Sequence, residues 1–366
     1  MLTYKSHNHT IERELVVVCE EQDSAMAYDV GGEDTPELIG SCSLVSTDAP
    51  VWFLLDETER NNLHRNDVLT LHPNGRARKV FDVNSNDNTL FTTGQCNNLC
   101  LMCSQPPVKT DDVDYYSCLN KFIIDHLPET TENLGISGGE PTLLGSRLID
   151  LIQSIFNKNP DIALHLLSNG RYFASKAYAS GFGEFAGSDL MIGIPLHSDH
   201  VHDHNYIAGA AQAFNQTMSG IYNLARYGLD IEIRIVVNRL NYQRLPQLSN
   251  YIFRNLPFVR HVAFMGMEYT GLSIKNHRQI WIDPMEYQDQ LEEAVMNLAL
   301  WGMNVSVYNT PHCLLKPSLH EFSRQSISDW KESYSDECQK CAAREECCGL
   351  FATAKIHSPN IKAIRE

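Results

Sequence analysis

From Thr89 onward, short apolar runs alternate with amphipathic stretches of helical length, and this alternation limits the fold more than anything else in the sequence. The runs fall at 90–93, 134–137, 162–167, 190–194, 231–237 and 262–265, with helical patterns such as 148–156 between them. Strands alternating with helices imply βα units on a parallel sheet. Six units fall short of the eight that close a barrel, so the expected fold class is α/β, an open, six-unit partial β/α barrel.

The flanks read differently. Residues 1–88 are polar and irregular, with strand-like runs at 14–19 and 51–55. An alternating run at 67–72 meets the turn signal Asn74-Gly75, which predicts a hairpin. After Pro284 a helix over 287–300 leads to a last strand at 305–308 and then a Cys-rich tail. The expected organisation is a small β-rich region over 1–88 with no motif that states its role, the partial barrel over 89–283, and a C-terminal extension over 284–366.

Charge narrows the partners. Forty-five acidic residues against 29 basic ones give a net charge of −16, which disfavours nucleic-acid backbones and anionic membrane surfaces. No apolar run approaches the roughly 18 residues of a membrane span. The first residues also lack the apolar core of a secretory signal. The expected setting is cytoplasmic, with no membrane and no nucleic acid.

Eleven cysteines are the unusual feature, and an odd number sits badly with a disulfide framework. Cys19, Cys42 and Cys118 stand alone and read as small core residues. The rest cluster, and clustered thiols in a reducing compartment read as metal ligands. Cys96, Cys100 and Cys103 form C-x3-C-x2-C just after the first barrel strand. Three such thiolates can wrap three corners of an iron–sulfur cubane, which normally takes four, leaving one iron open to a substrate or cofactor. A structural zinc site is the alternative, although it usually wants a fourth protein ligand and another spacing. At the end of the next strand stand Gly138, Gly139, Glu140 and Pro141. Glycines there allow close backbone approach to a ligand, and a carboxylate can bind an ammonium group.

Together these residues resemble the radical S-adenosylmethionine (SAM) enzymes, over roughly residues 89–270. The resemblance implies that Cys96, Cys100 and Cys103 hold a [4Fe–4S] cluster whose open iron binds the amino and carboxylate groups of SAM. It implies that Gly138, Gly139 and Glu140 receive the methionyl ammonium, and that Ser168 and Asn169 lie at a ribose-contacting position. Arg234 would meet the SAM carboxylate, and Met267 would lie where backbone contacts to the adenine are expected.

The tail adds Cys313, Cys338, Cys341 and Cys347. This set resembles the C-terminal extension of peptide-modifying radical SAM enzymes, which binds an auxiliary [4Fe–4S] cluster. Spacing does not exclude Cys348 as the fourth ligand; Cys347 is favoured, with Cys348-Gly349 as the turn. A four-thiolate zinc site is the alternative here too. The segment His197-Ser198-Asp199-His200-Val201-His202-Asp203-His204 looks like a metal cluster but reads better as a substrate-facing or capping loop.

The runs 96–107 and 308–315 are similar to the His-Xaa-Ser system radical SAM maturase of the HxsC type. That resemblance implies a ribosomal peptide substrate bearing His-Xaa-Ser repeats, a second radical SAM protein of the same system, and an external electron donor. The rival readings are a radical SAM enzyme acting on a small molecule or folded protein, and a non-catalytic partner that binds peptide or carries electrons.

Overall fold

The computed structural model describes residues 3–6, 8–29, 37–325, 332–354 and 356–365. The chain divides into two compact units, one of residues 1–93 with 110–165 and the other of residues 94–109 with 166–366.

The first unit holds a seven-stranded sheet of β1 (Thr3–Lys5), β2 (Leu15–Glu21), β3 (Ser24–Asp29), β4 (Glu37–Ser43), β5 (Val51–Trp52), β6 (Val68–Leu71) and β7 (Arg76–Phe81). Its order is β1-β7-β6-β2-β3-β4-β5. The expected hairpin is β6–β7, antiparallel and turning at Asn74-Gly75. One face buries Val17, Cys19, Cys42, Phe53, Leu69 and Leu71 together, so Cys19 and Cys42 are packing residues as expected. Cys118 is likewise buried, on the helix Val113–Asp125. Fully buried Asp67 is neutralised by Lys79 at 2.7 Å, which also reaches Asp82 at 3.0 Å. The nearby grouping of His64, Asp67 and Asp82 therefore already holds its cation, an ammonium.

In the same unit β8 (Thr89–Phe91) pairs in parallel with β9 (Asn133–Ser137). The helix Ser146–Lys158 buries Leu148, Ile152 and Ile155, one stripe at helical spacing. Strand β10 (Ala163–Leu167) starts in this unit and ends in the other.

The second unit continues with β11 (Leu190–Pro195), β12 (Asp230–Val236), β13 (His261–Met265), β14 (Val305–Tyr308) and β15 (Ser323–Arg324). These pair in chain order and in parallel. On β12, Ile231, Ile233 and Ile235 are buried, and Glu232 and Arg234 take the opposite face of the pleat. The strand at 305–308, expected in the extension, instead joins the sheet beside β13. β15 pairs beyond it in parallel. Beyond the sheet, β16 (Glu332–Ser333) and β17 (Leu350–Phe351) form a short antiparallel pair. Among the described residues no helix is long and apolar enough to cross a membrane.

Candidate functional site

The loop carrying Cys96, Cys100 and Cys103 has no regular structure of its own, so its shape comes from what grips it. Leu99 and Leu101 donate backbone N–H groups to Ala208 and Ile207, at the C-terminal end of the helix Val201–Ala208. Gly209, in the left-handed region at φ 64°, packs so close that a Cβ there would stand 2.2 Å from the Leu99 carbonyl oxygen. Leu272 donates its N–H to the Cys103 carbonyl, and the Asn276 amide donates to that of Leu101. Arg171 closes the grip. Its Nη1 donates to the Asn97 carbonyl and to Asn98 Oδ1, and its Nε donates to Gln216 Oε1.

Held this way, the three thiols feel one another. Burial, then the neighbouring Cys103 and Cys96, pushes the Cys100 thiol up to about 12. Bound iron would reverse this, because coordination deprotonates a thiol outright. The Asn98 N–H and the Asn169 amide point at Cys96 Sγ, at 3.4 and 3.9 Å, and the Asn98 amide points at Cys100 Sγ at 3.9 Å. Such N–H groups are the partners a cluster's sulfurs take.

The glycine-rich strand end belongs to the first unit. Gly138 passes so close to the end of β8 that a Cβ would lie 2.7 Å from the Thr93 carbonyl oxygen, and the Gly139 N–H donates to that same oxygen at 2.7 Å. Part of this motif's role is thus strand packing. Glu140 is fully buried and its Oε1 caps the 3₁₀ turn Pro141–Leu144, accepting from the N–H and hydroxyl of Thr142.

Ser168 and Asn169 follow directly on β10. Ser168 Oγ accepts from the Gly170 N–H, and Asn169 is bonded into the cysteine loop through Asn97 at 2.6 Å. Arg234 pairs with Glu232 at 2.8 Å, and Glu232 bonds His261 Nδ1, whose Nε2 meets Ser306 Oγ at 3.0 Å. Arg234 therefore already has a carboxylate partner within the chain.

The tail gathers its cysteines. Cys313, Cys338, Cys341 and Cys347 all line one small cavity, together with His312, Tyr334, Arg344 and Lys362. Backbone N–H groups are aimed at the sulfurs: His312 and Gly349 at Cys347, each at 3.4 Å, and Ile364 at Cys341, also at 3.4 Å. The Cys348 thiol and these two amides bring the Cys347 thiol down to about 6, a ready metal ligand. Cys348 itself is buried outside the cavity lining and donates to the Gly349 carbonyl. Among the described residues, no three cysteine sulfurs lie within 4.8 Å of one another.

A second cavity opens beside the first and shares Pro311, Gly349 and Leu350 with it. The C-terminal ends of β12, β13 and β14 supply Val237, Gly266, Met267 and Asn309, and Tyr269, Trp281, Tyr287 and Phe351 give it aromatic walls. Met267 also packs, with Cys100 and Leu101, on the buried cluster of Met102, Ile207 and Ile280. The sequence offered no signal for this cavity, nor for Arg171, because both depend on segments far apart in the chain.

The His-rich segment does not gather into a metal site. Asp199 is held by Arg244 through two bonds of 2.9 and 2.6 Å, while His200 and His202 lie at the surface beside Asp203. His197 is buried, and its backbone N–H donates to His204 Nδ1. The segment leads into the helix that grips the cysteine loop, whose N-terminus carries no side-chain cap.

No family model and no curated protein matches the chain. Solved structures do. The SuiB protein of Streptococcus suis bound to S-adenosylmethionine aligns at 13% identity and a TM-score of 0.50, over 68% of this chain and 55% of that one. This chain therefore spans just over half the length of SuiB. The anSMEcpe enzyme with bound AdoMet and a peptide aligns at 16% identity and a TM-score of 0.52, over 75% of this chain and 91% of its own. A radical SAM methyltransferase from Sphaerobacter thermophilus aligns at 9% identity and a TM-score of 0.45, over 82% and 86%. At these identities the likeness to SuiB and anSMEcpe is one of fold.

Proposed function

We propose that this chain is a radical SAM maturase that modifies a ribosomally synthesised peptide, with an auxiliary iron–sulfur cluster in its tail. The observation that carries the reading is the cysteine loop, where three thiols are pinned by side chains and backbone from three other segments. A pinned three-thiol loop suits a cluster with one iron left for a small ligand. The fold shared with SAM-bound SuiB and anSMEcpe supports SAM as that ligand.

With SAM bound, such a cluster supplies a 5′-deoxyadenosyl radical for hydrogen abstraction. The protein's part is to hold, orient and exclude water. Cys96, Cys100 and Cys103 would hold the iron, with Asn98 and Asn169 directed at the sulfurs. Glu140, fixed by Thr142, would meet the methionyl ammonium beside Gly138 and Gly139. Ser168 would contact the ribose, the backbone at Met267 the adenine, and Arg234 the SAM carboxylate from its place beside Glu232. Cys313, Cys338, Cys341 and Cys347 would hold the second cluster. The cavity walled by Tyr269, Trp281, Tyr287 and Phe351 suits an apolar side chain of a peptide. That anSMEcpe was solved with a peptide bound supports this class of substrate.

We assign the likeness to the HxsC type to this proposal as well. On it the substrate carries His-Xaa-Ser repeats, a second radical SAM protein works alongside, and an external donor delivers the electron in the cytoplasm. The test is anaerobic reconstitution with iron and zinc counted, then dithionite and SAM added and 5′-deoxyadenosine measured. About eight irons and 5′-deoxyadenosine are expected. Zinc without iron at both cysteine groups would refute the proposal.

A further inference from the structure

His312 is buried at 4% exposure, and its Nε2 has no hydrogen-bond partner. An unpaired buried polar atom costs about 1–3 kcal/mol, so one that persists calls for an explanation. Its position supplies one. His312 lines the cavity shared by Cys313, Cys338, Cys341 and Cys347, and its backbone N–H is already directed at Cys347 Sγ. The ring cannot easily turn away. It stacks on His320 at 4.6 Å with the planes 8° apart, and His320 Nε2 is bonded to the His312 carbonyl at 3.1 Å. The 3₁₀ turn His312–Leu314 fixes the backbone beneath it.

We infer that His312 is a positioning residue of the tail cluster, whose Nε2–H donates a hydrogen bond to a cluster sulfur and raises its reduction potential. Hydrogen bonds to sulfur stabilise the reduced, more negative form of a cluster over the oxidised one. Without that sulfur the nitrogen has nothing to bond. The inference rests on the second cluster proposed above, and the two can fail separately.

The test uses the full chain with Cys96, Cys100 and Cys103 replaced by Ala, so that iron reports on the tail alone. Iron is counted and the midpoint potential read by EPR for this parent and for His312→Phe and His312→Gln made in it. Phe keeps the stack on His320 and loses the donor; Gln keeps an N–H donor. The expected result is about four irons in all three. His312→Phe should be about tenfold harder to reduce, ~59 mV for a one-electron couple, with His312→Gln recovering part of the shift. Full iron with an unmoved potential in His312→Phe would overturn the inference. So would loss of iron in both variants, since a residue that only donates to the cluster is not needed to hold it. A parent that binds no iron would instead overturn the second cluster itself.

Discussion

Replacing Arg171 with Met should loosen the first cysteine loop without unfolding the protein. The side chain makes three bonds, to the Asn97 carbonyl, to Asn98 Oδ1 at 2.7 Å and to Gln216 Oε1 at 2.7 Å. Bonds from a charged donor contribute about 1.5–3 kcal/mol each when buried. The guanidinium is only partly buried, so about 2 kcal/mol for the three together is a conservative figure. With about 1.4 kcal/mol per factor of ten, this makes opening of the loop roughly 30-fold easier. The assay is iron release to a chelator, followed anaerobically in a chain whose Cys338 and Cys341 are both replaced by Ala. Arg171→Met should lose iron roughly 30-fold faster. Arg171→Lys should recover only part, because an ammonium cannot reproduce the planar fork. A release rate equal to that of the parent would refute the idea that Arg171 holds the loop.

Three further outcomes are expected. Gly138→Ala should cost about 1–3 kcal/mol by urea unfolding, since its Cβ would press to 2.7 Å on a backbone oxygen; an unchanged midpoint would show that β8 yields freely. Cys347→Ser should remove the tail iron and Cys348→Ser should retain it, by metal analysis; the reverse would exchange the ligand assignment. Burial lowers His197 from 6.5 to about 4 in the folded protein, so between those pH values the unfolded chain binds a proton that the folded one refuses. Its contribution to stability is complete above pH 6.5 and falls by about 1.4 kcal/mol per unit as pH drops toward 4. His197→Phe should therefore lose less stability between pH 7 and pH 5, and an equal loss would contradict the assignment.

What the sequence determined by itself is local. Short apolar runs spaced by amphipathic helical stretches placed β8 to β13, because run length and spacing are properties of the segment alone. The β6–β7 hairpin followed from Asn74-Gly75. The spacing of Cys96, Cys100 and Cys103 on one short loop singled them out as candidate metal ligands before any fold was known.

Tertiary structure decided the rest. Nothing in 305–308 says that β14 pairs with β13, since the pairing joins residues some forty positions apart. Spacing favoured Cys347 over Cys348 without excluding the latter, and the cavity lined by Cys313, Cys338 and Cys341 takes in Cys347 alone of the two. Arg171 looks like any surface arginine until the strand before it brings it to Asn97 and Asn98. The seven-stranded sheet and the buried Lys79–Asp67 pair were likewise hidden, because burial is a property of the packed chain. Local pattern fixes the elements and the reactive groups. Which of those groups meet depends on chain closure over long separations, which no window of sequence contains.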